Sequence, residues 1–172
     1  MMFKIRIVTA ADLAAVTALE AACFPPEEAA AEEAFAYRIK AFPERFFVAE
    51  KDGKIIGMVN GCASHLPAVE DALFEPRGHE PNGKNQMIFG LAVLPEYRRQ
   101  GVGGALLNHL IDWSKAHGME QVILTCKEAK LAYYSKFGFE NQGVSASCHG
   151  GARWFDMVLD LEYAPKAALC KG

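Results

Sequence analysis

The stretch Leu91-Ala92-Val93-Leu94-Pro95-Glu96-Tyr97-Arg98-Arg99-Gln100-Gly101-Val102-Gly103-Gly104-Ala105-Leu106-Leu107 decides how the rest of the chain is read. An apolar strand runs into a basic, glycine-rich turn. The turn opens a helix whose apolar residues Val102, Leu106, Leu110 and Trp113 recur at helical spacing. Glycine lets a backbone approach a ligand closely. The first turn of a helix carries unpaired N–H groups and a partial positive charge, which together attract anions. Arg98 and Arg99 add charge, so pyrophosphate is the natural guest. Two common nucleotide signatures are excluded. No Gly-Lys-Ser/Thr follows, and the G-x-G-x-x-G spacing fails because Gly101-Val102-Gly103-Gly104 continues into Ala105 and Leu106. The competing reading is a helix start whose glycines only permit close packing.

Outward from this stretch, Met87 to Leu94 is a continuous apolar run, which predicts a strand covered on both faces. Gln121 to Cys126 predicts a second buried strand, and Ala129 to Phe137 a helix ending near Gly138. Two strands follow, at 139–148 and 153–161, around Gly150-Gly151. Upstream, residues 3–8 predict a first strand. Thr9 and Asp12 open a helix in capping-box fashion, with an apolar stripe at Leu13, Val16, Leu19 and Ala22-Cys23. Pro25-Pro26 break it, and Glu27 and Glu28 then sit at the start of a second helix reaching Ile39. Phe46 to Ala49 and Lys54 to Ala63 predict a hairpin turning at Asp52-Gly53. Residues 65–85, rich in proline and glycine, predict a long loop with a short helix at Val69 to Phe74. The order β-α-α-β-β-β-α-β-α-β-β implies one α/β domain over 1–163, a mixed sheet, and a tail at 164–172.

Composition narrows the function classes. The chain has 172 residues, 51% hydrophobic and 23% charged, which excludes a long disordered protein and a small disulfide scaffold. No apolar run approaches the ~20 residues that span a bilayer, and the start lacks a signal-peptide core of about 7–15 apolar residues. The expectation is a cytoplasmic protein with no membrane partner. The net charge of −3 and the lack of a basic face argue against nucleic acid and are compatible with a cationic substrate. Cys23, Cys62, Cys126, Cys148 and Cys170 form no C-x-x-C pair, so they read as unpaired thiols, and no metal site is expected.

Arg98-x-x-Gly101-x-Gly103, preceded by Leu91-Ala92-Val93 and Pro95, resembles the acetyl-CoA motif of the GCN5-related N-acetyltransferase (GNAT) superfamily. Tyr133-Tyr134-Ser135-Lys136-Phe137-Gly138-Phe139 is similar to its second signature, a tyrosine followed by Gly-Phe. Both occur in the family's order and separation, and the resemblance covers nearly the whole chain. It implies a mixed, mostly antiparallel sheet of about seven strands, splayed at the acetyl-CoA site, with about four helices. Three further stretches resemble the arylalkylamine and polyamine branch: Leu124 to Glu128, Gly143 to Ala146 with Trp154 to Met157, and Cys23 to Ala29 with Tyr37-Arg38.

The resemblance implies a role for each residue. Leu91, Ala92 and Val93 would pair with the pantetheine arm, and the Leu91 N–H would polarise the thioester carbonyl. Arg98 takes the basic position. The amides of Arg99, Gln100, Gly101, Val102, Gly103 and Gly104 would hold the pyrophosphate. Tyr134 would protonate the departing sulfur. The amine must also lose a proton, which at pH 7 costs an alkylamine roughly 4.6 kcal/mol. The histidine pair of the animal arylalkylamine enzymes is replaced here by Met87 and Phe89. Glu28 is the substitute base, with Glu27 or a water chain as alternatives. The asparagine often found seven residues before the tyrosine is Lys127. His65, His79, His109, His117 and His149 read as solvated surface residues. Cys126 is not needed as a nucleophile, because the family's chemistry is direct attack in a ternary complex. The expected function is acetyl transfer to a small primary amine by a monomer or homodimer. Its rivals are a protein N-terminal or lysine acetyltransferase and a non-catalytic CoA sensor.

Overall fold

Asp52 and Gly53 both adopt positive φ, 50° and 78°, as a two-residue type I′ turn requires. They join β2 (Phe46–Lys51) to β3 (Lys54–Asn60) in the expected hairpin, and β1 (Lys4–Ile7) pairs antiparallel with β2 on its other side. The computed structural model describes residues 2–147 and 149–161. Cys148, Cys170 and the expected tail at 164–172 lie outside the described residues.

Alternation along the hairpin sends side chains to two faces. Val48 and Met58 join Val16 and Leu19 of α1 (Leu13–Cys23) and Phe35 of α2 (Glu32–Ala41). Phe47, Ala49 and Val59 join Leu106, Leu107 and Leu110 of α3 (Val102–Ala116) on the opposite face. The sheet is thus sandwiched between helices, which explains its near-continuous apolar strands. The start of α1 is pinned as expected. The Thr9 N–H donates to Asp12 Oδ2 at 2.7 Å, and Arg6 grips both Asp12 oxygens at 2.8 and 3.0 Å.

The remaining strands are β4 (Ala63–Ser64), β5 (Asn85–Ile88), β6 (Gly90–Val93), β7 (Gln121–Cys126), β8 (Glu140–Val144) and β9 (Phe155–Asp160), with α4 (Leu131–Ser135) between β7 and β8. They form a four-stranded sheet, β1-β2-β3-β6, and a five-stranded sheet, β4-β5-β7-β9-β8, in which only β5–β7 is parallel. The described residues therefore hold nine strands where about seven were expected.

The surplus has one main cause. The Met87–Leu94 run is not one strand. Asn60 is opposed by Gly90 in register, yet its carbonyl also accepts the Phe89 N–H at 2.7 Å. Two residues facing one is a β-bulge, which bends the strand and ends its pairing. Before the bulge the chain runs with β7; after it, with β3. The expected Lys54–Ala63 strand breaks at the same level, at Gly61 and Cys62.

The second helix also differs. It begins at Glu32, not at Glu27. Glu28 and Ala29 both donate to Pro25 O at 2.9 Å, one isolated turn. The next amide, Ala30 N–H, is taken by the Glu20 carboxylate at 2.9 Å, so the turn cannot continue as helix. The helix expected at 129–137 is a 3-10 turn at Glu128–Lys130 followed by α4, and the short helix in the 65–85 loop is a 3-10 turn at Asp71–Phe74. Among the described residues no helix is long and apolar enough to cross a membrane.

Candidate active site

The glycine turn builds its half of the site from backbone. Ala105 N–H to Gly101 O, at 3.0 Å, is the first bond of α3, so the amides of Val102, Gly103 and Gly104 have no acceptor within the helix. Arg99 and Gly101 lie in the left-handed region, with φ of 62° and 85°. For Arg99 that conformation costs about 1–2 kcal/mol, and such strain clusters at ligand sites. Gly103 and Gly104 also serve packing. A Cβ at Gly103 would lie 3.1 Å from Tyr133 Oη, and one at Gly104 3.5 Å from Phe137 Cζ. Both readings of the glycines therefore hold, at different positions. Gln100 is exposed beside them, and Arg98 Nε donates to Val93 O at 2.9 Å, tying the turn back to the end of β6.

Strand β6 supplies the link to the other half. Leu94 N–H donates to Ile56 O in register with β3. Alternation then puts the Ala92 amide toward β3 and the Leu91 and Val93 amides toward β7. Beyond the bulge β7 no longer pairs there. Leu91 thus presents free backbone to a cleft between the two sheets.

That cleft opens into a cavity of about 630 Å³. Its walls come from α1, α2, the bulge, the end of β7, α4 and two loops. Tyr134 lines it, packed edge-on against Tyr133 and Phe139. Burial, reinforced by Tyr133 and Cys126, pushes the Tyr134 hydroxyl well above the ordinary tyrosine value, so it holds its proton. The Cys126 thiol beside it is pushed up to about 11 by burial, and Cys23 is also raised, chiefly by burial. Both are protonated at neutral pH and poor nucleophiles.

A roof closes the cavity opposite the bulge. Ser147 donates its hydroxyl to Asp71 Oδ1 at 2.6 Å, joining the 65–85 loop to the β8–β9 loop. The His149 ring stacks on Phe74, 5.5 Å between centroids, and its Nε2 lies 2.9 Å from Glu28 O. Trp154 Nε1–H donates to His149 O at 2.8 Å. Gly150, with φ of 65°, sits so close that a Cβ there would be 2.6 Å from Glu28 Cγ. His149 is therefore a wall residue, not the solvated histidine expected.

Glu28 lines the cavity, whereas Glu27 is exposed and does not. The Glu28 side chain is only 7% exposed and its Oε2 is paired with Lys127 Nζ at 2.7 Å. The residue at the place of the frequent asparagine is thus the partner of the candidate base. Phe89 stacks near Phe74 and receives the Arg38 guanidinium over its face at 4.9 Å, while Met87 is core. His65, His109 and His117 are exposed as expected. His79 is half-buried and accepts the Ala63 N–H at 3.1 Å, and burial depresses its pKa.

Sequence reasoning missed Glu20. Its side chain is buried on the cavity wall, and a Cβ at Gly90 would lie 3.8 Å from Glu20 Oε1. The signal was present: Glu20 follows Val16 by four and Leu19 by one, a charge on the apolar stripe of α1. The aromatic residues Phe74 and Trp154 carried no such signal. Among the described residues no cluster of metal-ligating side chains occurs.

Residues 13–139 match the profile of the acetyltransferase (GNAT) family. The chain belongs to this family. Its matches include an uncharacterized N-acetyltransferase, YkwB, of Bacillus subtilis (strain 168), 27% identical over 81% of this chain and 66% of that one. N-acetyltransferase 8 of Homo sapiens is 33% identical over 60% of this chain and 41% of its own, and serotonin N-acetyltransferase of Mesocricetus auratus 30% over 48% and 41%. The chain thus spans less than two thirds of these relatives' length. Among solved structures, the loading GNATL domain of CurA from Lyngbya majuscula superposes with a TM-score of 0.83 at 17% identity, over 95% of this chain and 100% of that one. The GNAT architecture, sheets splayed beside a glycine turn, is the fold found here.

Proposed function

We propose that this chain transfers the acetyl group of acetyl-CoA to a small primary amine by direct attack in a ternary complex. The observation that carries the acceptor class is the roofed cavity. The bond between Asp71 and Ser147 and the stack of His149 on Phe74 cover one side of it, which would leave less room for an extended peptide than for a small amine. Its walls hold Phe24, Phe74, Phe89 and Trp154 for an apolar body, and the shielded carboxylates of Glu20 and Glu28 for an ammonium. An arylalkylamine or a polyamine has those features. The resemblance to serotonin N-acetyltransferase points the same way, while other relatives are named an N-alpha-acetyltransferase and a ribosomal protein bS18-alanine N-acetyltransferase.

The donor side suits the second substrate. Free amides at the start of α3 fit a pyrophosphate, and the cleft-facing backbone of Leu91 and Val93 fits the amide-bearing arm. Acetyl-CoA supplies the activated thioester. Leu91 N–H would donate to the carbonyl oxygen as it gains negative charge. Glu28, fixed by Lys127, would hold the ammonium. Tyr134 would give its proton to the sulfur. Ordinary values of ~10 for tyrosine and ~8.5 for a thiol make that transfer unfavourable in water. The burial that raises Tyr134 also holds neighbouring Cys126 at about 11, and a CoA thiolate at that spot meets the same desolvation. With both cavity thiols protonated, no acyl-cysteine is invoked.

The test is CoA-thiol release from acetyl-CoA with phenethylamine, tryptamine, spermidine, putrescine and short peptides, beside calorimetric titration of CoA. Release with a small amine and none with peptides is expected. Release with peptides alone would overturn the acceptor class. CoA binding with no release for any acceptor would favour a sensor, and no CoA binding would overturn the donor assignment.

A further inference from the structure

We propose that Glu20 is the group that takes the proton from the acceptor amine, a role resting on the acetyl-transfer reading above. Two carboxylates border the cavity deep enough to be shielded from solvent. Glu28 has a lysine ammonium at 2.7 Å, which already occupies its Oε2. Glu20 has no such partner: no salt bridge within 4.0 Å involves it among the described residues. Its Oε2 is held by the Ala30 N–H at 2.9 Å, which fixes the rotamer. Its Oε1 is directed at the bulge, 3.8 Å from the Cβ position of Gly90, one residue before the Leu91 amide that would face the thioester. A Cβ at 90 would already be in van der Waals contact with that oxygen.

The charged and titratable groups around Glu20 come from three elements. Arg38 on α2 and His149 from the roof favour its ionised form, and Cys23 lies one turn along α1. Burial outweighs them and raises the carboxyl above the usual carboxylate range, a direction that suits a base. The proton balance is complete. R–NH3+ gives one proton to the Glu20 carboxylate. The free amine nitrogen forms a bond to the carbonyl carbon, the C–S bond breaks, and Tyr134 protonates the sulfur. The second nitrogen proton leaves as the amide forms and restores Tyr134, while Glu20 returns its proton to solvent.

The test is Glu20→Gln, whose amide oxygen keeps the Ala30 bond while losing the base. With whichever acceptor the wild type accepts, kcat/KM should fall about 100-fold or more and the acid limb of its pH profile should disappear. Raising the pH, which supplies free amine, should narrow the gap. KM for acetyl-CoA and thermal stability at neutral pH should not fall. An unchanged acid limb, or a loss of less than about threefold, would overturn the proposal. If the wild type uses only peptides, the acceptor class fails while the same comparison still decides Glu20. If no acceptor turns over, 13C titration of the Glu20 carboxyl decides: an ordinary glutamate value overturns the role, a raised one that shifts further when phenethylamine is added supports it.

Discussion

The two halves of the site are built from different materials. The donor half is backbone: consecutive amides at the start of α3, two left-handed residues, and the cleft face of β6. Nearly all of it lies between residues 91 and 104. The acceptor half is side chains drawn from α1, α2, the 65–85 loop, the end of β7, α4 and the β8–β9 loop. A backbone cradle recognises what every member of a family shares, and it tolerates change in the side chains around it. A wall assembled from separate segments can be altered one residue at a time, so substrate choice is easily revised there.

The sharpest way to break this comparison is Tyr134→Phe, which removes a proton donor and little else. Turnover should drop about 100-fold or more while calorimetric CoA affinity holds. A loss of CoA affinity instead would move Tyr134 into the donor half. Gly101→Val attacks the opposite half. A β-branched residue in the left-handed region costs about 1–2 kcal/mol, so CoA should bind about tenfold more weakly while the amine KM stays put. Opening the roof should be milder. Ser147→Ala, which removes a hydroxyl bond worth about 1 kcal/mol, should raise the amine KM about fivefold and leave CoA binding alone. An unchanged KM would mean that the roof does not select the acceptor.

The smallest effects contrast two carboxylates at either end of one helix region. Hydrogen bonding from Arg6 holds Asp12 below the usual carboxylate range. Its contribution is therefore present above about pH 4 and lost as pH falls through its lower folded value. Asp12→Asn should cost about 1 kcal/mol in urea unfolding at neutral pH, and the difference should close in strong acid. Glu20 runs the other way. Its folded value is raised, so the native state holds its proton more tightly than the unfolded chain, and stability is lost as pH rises past the ordinary value. Glu20→Gln should be at least as stable as wild type at neutral pH, and relatively less so near about pH 4.

The sequence legibility follows the same division. The glycine turn, Tyr134 and the order of strands and helices could be read because each is local: a period, a turn or a contiguous motif announces it. The break at Phe89 could not, because an unbroken apolar run gives no sign of which neighbour it pairs with. Glu28 was found but placed on a helix, since nothing in Pro25-Pro26-Glu27-Glu28 tells that Glu20 will take the Ala30 amide. The ion pair of Lys127 with Glu28 spans 99 positions, and the hydrogen bond from Ser147 to Asp71 spans 76. Contacts of that reach are decided by the packed fold, not by any stretch of chain.

The bulge makes β5 and β6 behave like a reading frame. Met87 and Phe89 face the cluster that includes Phe42, whereas Leu91 and Val93 face the α3 side. The odd-numbered residues change sides because one supernumerary position was spent at 89–90. Removing or adding a single residue between 85 and 93 would invert every later side chain of the strand, turning Leu91 and Val93 away from the α3 cluster and Ala92 out of the cluster it shares with Val16, Leu19 and Phe35. Substitution there alters a letter; a change of length rewrites the message.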